Sequence, residues 1–190
     1  QGDISRSTPA LSDLNNVEQL IDSLQIRRGN PTLKMSTVYN NTLNFDYRKG
    51  LFSGSLYLLY QYQRKPNMEE TIRENDLFIR TIANQRSWQK LNPEIEVKVG
   101  PFKDILSLSV TTGINYFDSR GHNYHHTYTN WYYRASIMAS YKNWSSFFEI
   151  QNHRNDFYGE TLRYGENYHI LGINYRYKQL TAGIMGLNLF

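Results

Sequence analysis

The chain has 190 residues and no cysteine, which excludes disulfides, thiolate nucleophiles and cysteine metal sites. Hydrophobic residues make up only 39% while aromatics reach 15%, with Tyr contributing 16, a balance that suits surfaces with one dry and one wet side better than a sealed interior. The net charge of +4 comes from 21 basic and 17 acidic groups scattered along the chain, so no phosphate-tracking patch can be read and nucleic acid is not an expected partner; no run approaches the ~18 apolar residues of a membrane helix.

The sequence opens at Gln1 with neither an initiator Met nor a signal peptide, as expected of a mature product or an excerpt of a longer chain. Residues 1–27 show no strand alternation. Leu11, Leu14, Val17, Leu20, Ile21 and Leu24 recur at intervals of three and four, and Ser12 or Asp13 can cap, so one short helix is expected within 10–25; a segment covering a rim is the alternative. Arg28-Gly29-Asn30-Pro31-Thr32-Leu33-Lys34 then reads as an ordered, non-helical turn, because Pro31 fixes its own φ and pushes Asn30 toward extended backbone. Residues 1–34 are thus expected to be an irregular segment with a short helix and this turn, and 35–190 to be antiparallel strands.

From Met35 the period becomes two. Tyr39, Leu43, Phe45 and Tyr47 oppose Asn40, Asn44, Asp46 and Arg48, and after a Gly50 turn Leu56, Leu58, Tyr60 and Tyr62 oppose Tyr57, Leu59, Gln61 and Gln63. Met68 to Asn75 reads as a polar loop, followed by a short strand at 77–82 and another over 87–99, with an irregularity at Asn92-Pro93 and a tight turn at 100–104. The clearest alternation sets Leu106, Leu108, Val110, Ile114 and Tyr116 against Ser107, Ser109, Thr111, Gly113 and Asn115. Residues 118–130 read as a long polar loop. Strands follow around Tyr133 to Tyr141 and Trp144 to Gln151, then a loop from about 152 to 166, then strands around His169 to Tyr177 and Leu180 to Phe190.

That gives an all-β antiparallel meander of about eight strands whose connections alternate short and long, the habit of a transmembrane outer-membrane β-barrel with tight periplasmic turns and long outer loops. Tyr47, Tyr116, Tyr133, Trp144 and Tyr177 lie near strand ends, where aromatic girdles meet the bilayer edge. The expected location is the bacterial outer membrane, with its lipids as partners. A self-contained eight-stranded structural or adhesion barrel and a soluble β-rich binding domain are the rival readings.

The segment from Arg28 to Met35 resembles the "GNP-x-LKP" motif that TonB-dependent outer-membrane receptors of the Bacteroidetes type carry before a barrel strand, with Met35 in the place of its last Pro. Ser5 to Leu14 is similar to the Arg, Pro and Leu pattern upstream of that motif, and Gly186-Leu187-Asn188-Leu189-Phe190 resembles an Asn-x-Phe ending after a late barrel strand. The resemblance implies the C-terminal barrel portion of a receptor of about 22 strands, which takes up a nutrient ligand such as a glycan, a peptide or a chelated metal. Its implied partners are the remainder of the barrel, a plug and a surface lipoprotein.

No nucleophile elbow, P-loop or zincin sequence occurs, so no catalytic residue, cofactor or enzymatic activity is expected. The carboxylates Glu69, Glu70, Glu74 and Asp76 fall in loop text. His122, His125 and His126 form the one histidine cluster, with Asp118 the single close carboxylate, and read as a loop open to ligand contact rather than as a metal site. Tyr57, Gln61, Tyr124, Tyr128, Trp131, Tyr132, Asn155, Tyr158 and Tyr164 complete the candidate ligand-binding set, since rings pack on sugar or peptide faces while amides take hydroxyls.

Overall fold

A computed structural model describes residues 1–189 of the chain. Its main body is a nine-stranded sheet in the order β1 (Gly2–Ser7), β4 (Ser36–Lys49), β5 (Phe52–Arg64), β8 (Ser87–Phe102), β9 (Leu106–Arg120), β10 (His125–Tyr141), β11 (Trp144–Gln151), β14 (Tyr168–Tyr177) and β15 (Leu180–Leu187). Every pairing in it is antiparallel. A second sheet joins β2 (Gln19–Leu20) and β3 (Gln25–Arg27) to the hairpin β6 (Asn67–Glu74) and β7 (Leu77–Asn84), and a small hairpin pairs β12 (Asp156–Tyr158) with β13 (Thr161–Arg163). The strands β1 and β15 form the two edges of the main sheet, and among the described residues they are not paired with each other.

The ladder fixes which side chains share a face. Tyr60 lies opposite Leu91, Leu91 opposite Tyr116, and Tyr116 opposite Thr129, so these point one way, while Gln61, Lys90, Phe117 and Tyr128 point the other. The first face is apolar and open: Leu43, Phe45, Leu56, Ile95, Val110, Ile114 and Ile137 are all exposed. Val110 is 50% exposed while its neighbour Thr111, on the opposite face, is 5% exposed. From Tyr116 to Leu106 the rise of about 3.4 Å per residue and a barrel tilt of roughly 40° give about 26 Å along the membrane normal, which matches the apolar band of a transmembrane barrel. This is a lipid-facing surface. No helix among the described residues is long and apolar enough to cross a membrane, which does not bear on crossing by strands.

Four tight turns, after β4, β8, β10 and β14, lie at one end, and each carries a lysine: Lys49, Lys103, Lys142 and Lys178. Positive φ at Gly50, Lys103, Lys142 and Lys178 reverses the chain there within a few residues. The connections at the other end, 8–35, 65–86, 121–124 and 152–167, are polar and mostly long.

Several expectations need correction. The first residues are not strandless: Gly2–Ser7 pairs with β4 and raises the count to nine. The expected helix shrinks to the four residues Leu11–Leu14, because Leu20 goes to β2 and Leu24 to the bend before β3, and β3 runs parallel to β7. Residues 67–74 are a strand rather than a loop. Most of 118–130 is also strand, since β9 continues to Arg120 and β10 begins at His125. The loop expected at 152–166 holds the hairpin of β12 and β13. β8 runs on through Phe102, so its turn is later and shorter than expected. Phe190, part of the Asn-x-Phe resemblance, lies outside the described residues.

Candidate functional site on the concave face

The face opposite the lipid-facing one is concave. A recess of about 590 Å³ is lined from β4 to β11 by side chains of both signs, among them Arg48, Glu96, Lys98, Arg134 and Glu149, with Ser53, Ser107, Ser109 and Ser136 between them. Lys98 Nζ pairs with Glu96 Oε2 at 3.0 Å. Charges on this face keep water, whereas on the other they would meet hydrocarbon.

Above the recess, toward the end with the long connections, the chain folds inward. The segment 154–158 crosses the concave face like a roof beam, touching β10, then β8 and β9, then β5. The Asn155 amide nitrogen donates to Tyr128 Oη at 2.5 Å and its backbone N–H to Asn130 Oδ1 at 2.9 Å. Trp88 Nε1 donates to the Phe157 carbonyl at 2.9 Å, and Tyr158 Oη donates to Gln63 Oε1 at 3.0 Å. Asp156 lies 3.7 Å from Lys90 Nζ. Met68 of β6 joins Trp88, Phe117 and Phe157 in a buried cluster, with Tyr124, Tyr128, Tyr158 and Leu162 packed around it. This small apolar core lies under the roof, not in the sheet's lipid face. Burial pushes the Tyr158 hydroxyl up to about 12, and it pushes Tyr124 up as well, with Glu160 and Glu70 adding to the effect.

Beneath the beam is a polar constellation. Tyr132 Oη donates to Glu94 Oε2 at 2.6 Å and accepts from Asn92 Nδ2 at 2.8 Å. Arg154 spans the group, donating to Asn92 Oδ1 at 3.1 Å and Glu94 Oε2 at 3.4 Å while its guanidinium lies 4.2 Å from the centre of the Tyr132 ring. The ring has room because its register partner is Gly113; a Cβ there would collide with Tyr132 and with the Pro93 carbonyl. Asn115 is buried nearby on the same face, and its amide has no hydrogen-bond partner among the described residues.

The Gly-Asn-Pro turn anchors this roof. A Cβ at Gly29 would strike the carbonyls of Asp13 and Asn15, so only glycine lets the two stretches touch. Asn30 Nδ2 donates to the Ile82 carbonyl at 3.0 Å while its Oδ1 accepts from the Thr32 N–H at 3.0 Å. Arg28 bridges Glu18 at 3.3 Å and Glu74 at 3.2 Å. The motif therefore ties 8–35 to the β6 and β7 hairpin.

Of the candidate ligand residues, Tyr124, Tyr128, Tyr132, Asn155 and Tyr158 come together at this roof. Gln61 also faces inward, donating to Asn40 Oδ1 at 2.7 Å, and Tyr57 shares its face lower on β5. Trp131 does not join them: it faces lipid in register with Ile114, donates to Thr112 Oγ1 at 2.8 Å and lies beside Tyr133. Tyr164 is 77% exposed beyond β13. The three histidines are dispersed. His122 gives its N–H to Gln85, His125 faces outward 3.3 Å from Asp118, and His126 faces inward stacked on Tyr124. Among the described residues no three His, Asp or Glu groups gather closely enough to hold a metal. Sequence reasoning missed Trp88, Asn92, Glu94 and Arg154; the even positions of β8 share one face, and that parity was the available signal.

A family model described as the outer membrane protein beta-barrel family matches residues 4–179. No curated protein and no solved structure matches the chain.

Proposed function

The chain belongs to the outer membrane protein β-barrel family, and from that membership we propose that it forms part of the wall and roof of a TonB-dependent receptor for a nutrient ligand such as a glycan, a peptide or a chelated metal. Its place is the bacterial outer membrane. The observation that carries the reading is the inward fold of 154–158 over a charged recess, because a solute arriving from outside meets the roof before it meets the concave face. The Gly-Asn-Pro resemblance supports the receptor type. Beneath the roof Glu94 and Arg154 keep partly exposed charges of both signs, suited to a polar ligand with hydroxyl or amide groups, while the buried Tyr132 and Asn92 hold them in place. The remainder of the barrel, a plug through which energy arrives and a surface lipoprotein are the partners this reading requires. No chemistry on the ligand is proposed.

The test is uptake in the parent bacterium. Loss of the gene is expected to abolish accumulation of one ligand class, and loss of TonB energisation in the intact strain to have the same effect. Accumulation that persists without TonB would leave the structural barrel as the better reading.

A further inference from the structure

The sequence scatters its basic residues, yet the strand register gathers three arginines into one line. Arg6 lies opposite Thr37, Thr37 opposite Arg64, Arg64 opposite Ser87, Ser87 opposite Arg120, and Arg120 opposite His125. All six belong to the lipid-facing parity. The rung immediately below holds Ile4, Tyr39, Tyr62, Gln89, Asp118 and Thr127, and the one below that Asn41, Tyr60, Leu91, Tyr116 and Thr129, after which the surface is apolar. The line is thus at the outer boundary of the membrane band, on the side of the long connections.

We propose that this row is a docking surface for the phosphate-bearing headgroups of lipids in the outer leaflet. The row itself contains no carboxylate, and Asp118 on the rung beneath is engaged by Arg120 and His125. Arg120 is already held by Asp118, from which its two nitrogens lie 3.0 Å away, but Arg6 and Arg64 are exposed and make no ion pair among the described residues. Arginines on alternate strands are separated by about 10 Å at the backbone, which lets flexible stems converge on one phosphate with a hydroxyl donor from Thr37 or Ser87 between them. A soluble anion would have no use for the aromatic and apolar rungs directly beneath. A lipid meets both, its acyl chains on Leu58 and Ile114 and its headgroup on the row. The inference depends on membrane location alone and holds whatever the barrel transports.

The chain, folded in a neutral detergent, is titrated with a diphosphorylated glycolipid, with the same lipid after dephosphorylation, and with inorganic phosphate, and retained lipid is read by native mass spectrometry. The phosphorylated lipid is expected to remain bound, and its dephosphorylated form to bind at least tenfold more weakly. Arg6→Gln combined with Arg64→Gln is expected to weaken retention about tenfold, Arg6→Lys with Arg64→Lys to weaken it less, and Lys49→Gln with Lys178→Gln at the opposite rim to leave it unchanged. Circular dichroism establishes that each variant retains its sheet. Equal retention of the two lipids, equal retention by the glutamine variant, or displacement by millimolar inorganic phosphate would overturn the proposal.

Discussion

Trp88 and Asp118 sit at the same height on opposite faces of the sheet and hold different things. Trp88 packs on Phe117 and Tyr158 and donates to the Phe157 carbonyl, so it fixes the roof to β8. Trp88→Ala is expected to cost roughly 3 to 5 kcal/mol of roof docking while the sheet survives. Amide exchange should then quicken across 153–165 and stay slow in β9; unchanged exchange in that segment would refute the role. Asp118 faces outward, 4% exposed. Burial alone would raise its pKa, but hydrogen bonds from Arg120 and His125 outweigh burial and hold it below the ordinary 3.8. A carboxyl depressed in the folded state contributes stability that is present above the unfolded value and lost as pH falls through the folded one. Protection of residues 118–126, corrected for the intrinsic exchange rate, is therefore expected to fall as pH drops below 3.8, and Asp118→Asn to remove that acid response.

At the level of strands, β9 separates lipid from water most sharply. Val110→Arg puts a charge on the lipid face at a cost of about 2 to 4 kcal/mol and is expected to impair insertion into vesicles. Ser109→Lys adds the same charge on the other face, where Ser109 Oγ lies 3.4 Å from Glu96 Oε1, and should insert normally. Ser109 is the better control because Thr111 is nearly buried. Equal insertion of the two variants would refute the facing. Much of this strand was legible in the sequence, since Leu106 to Tyr116 alternates wherever one face meets hydrocarbon. The alternation ends at Tyr116 for the same reason. Above the hydrocarbon band the outward positions become Asp118, Arg120, His125 and Thr127, so the hydrophobic period vanishes although the ladder continues. The β6 and β7 hairpin lacks a strand period on that ground too, lying wholly among polar connections. The roof was illegible because Met68 and Phe157 are single apolar residues in polar text, and their partners are assigned only by the fold.

At the scale of the whole molecule, the main sheet has two open edges among the described residues. Leu180 and Ile184 on β15 are each 75% exposed, and β1 likewise has a partner on one side only. Unpaired strand edges recruit further strands, so the chain alone in detergent is expected to associate through them, and mass photometry should show dimers and larger species. A homogeneous monomer would instead point to a barrel that closes on itself. The roof beam has a further consequence, in time rather than in space. Tyr158 meets Gln63 across 95 residues of sequence and Trp88 meets Phe157 across 69, so these contacts have no partner until β5, β8, β9 and β10 are already side by side. Closing such long loops before the sheet exists is entropically costly. The wall is therefore expected to form first and the ceiling last, so that a chain stopped midway would be an open trough whose floor is finished.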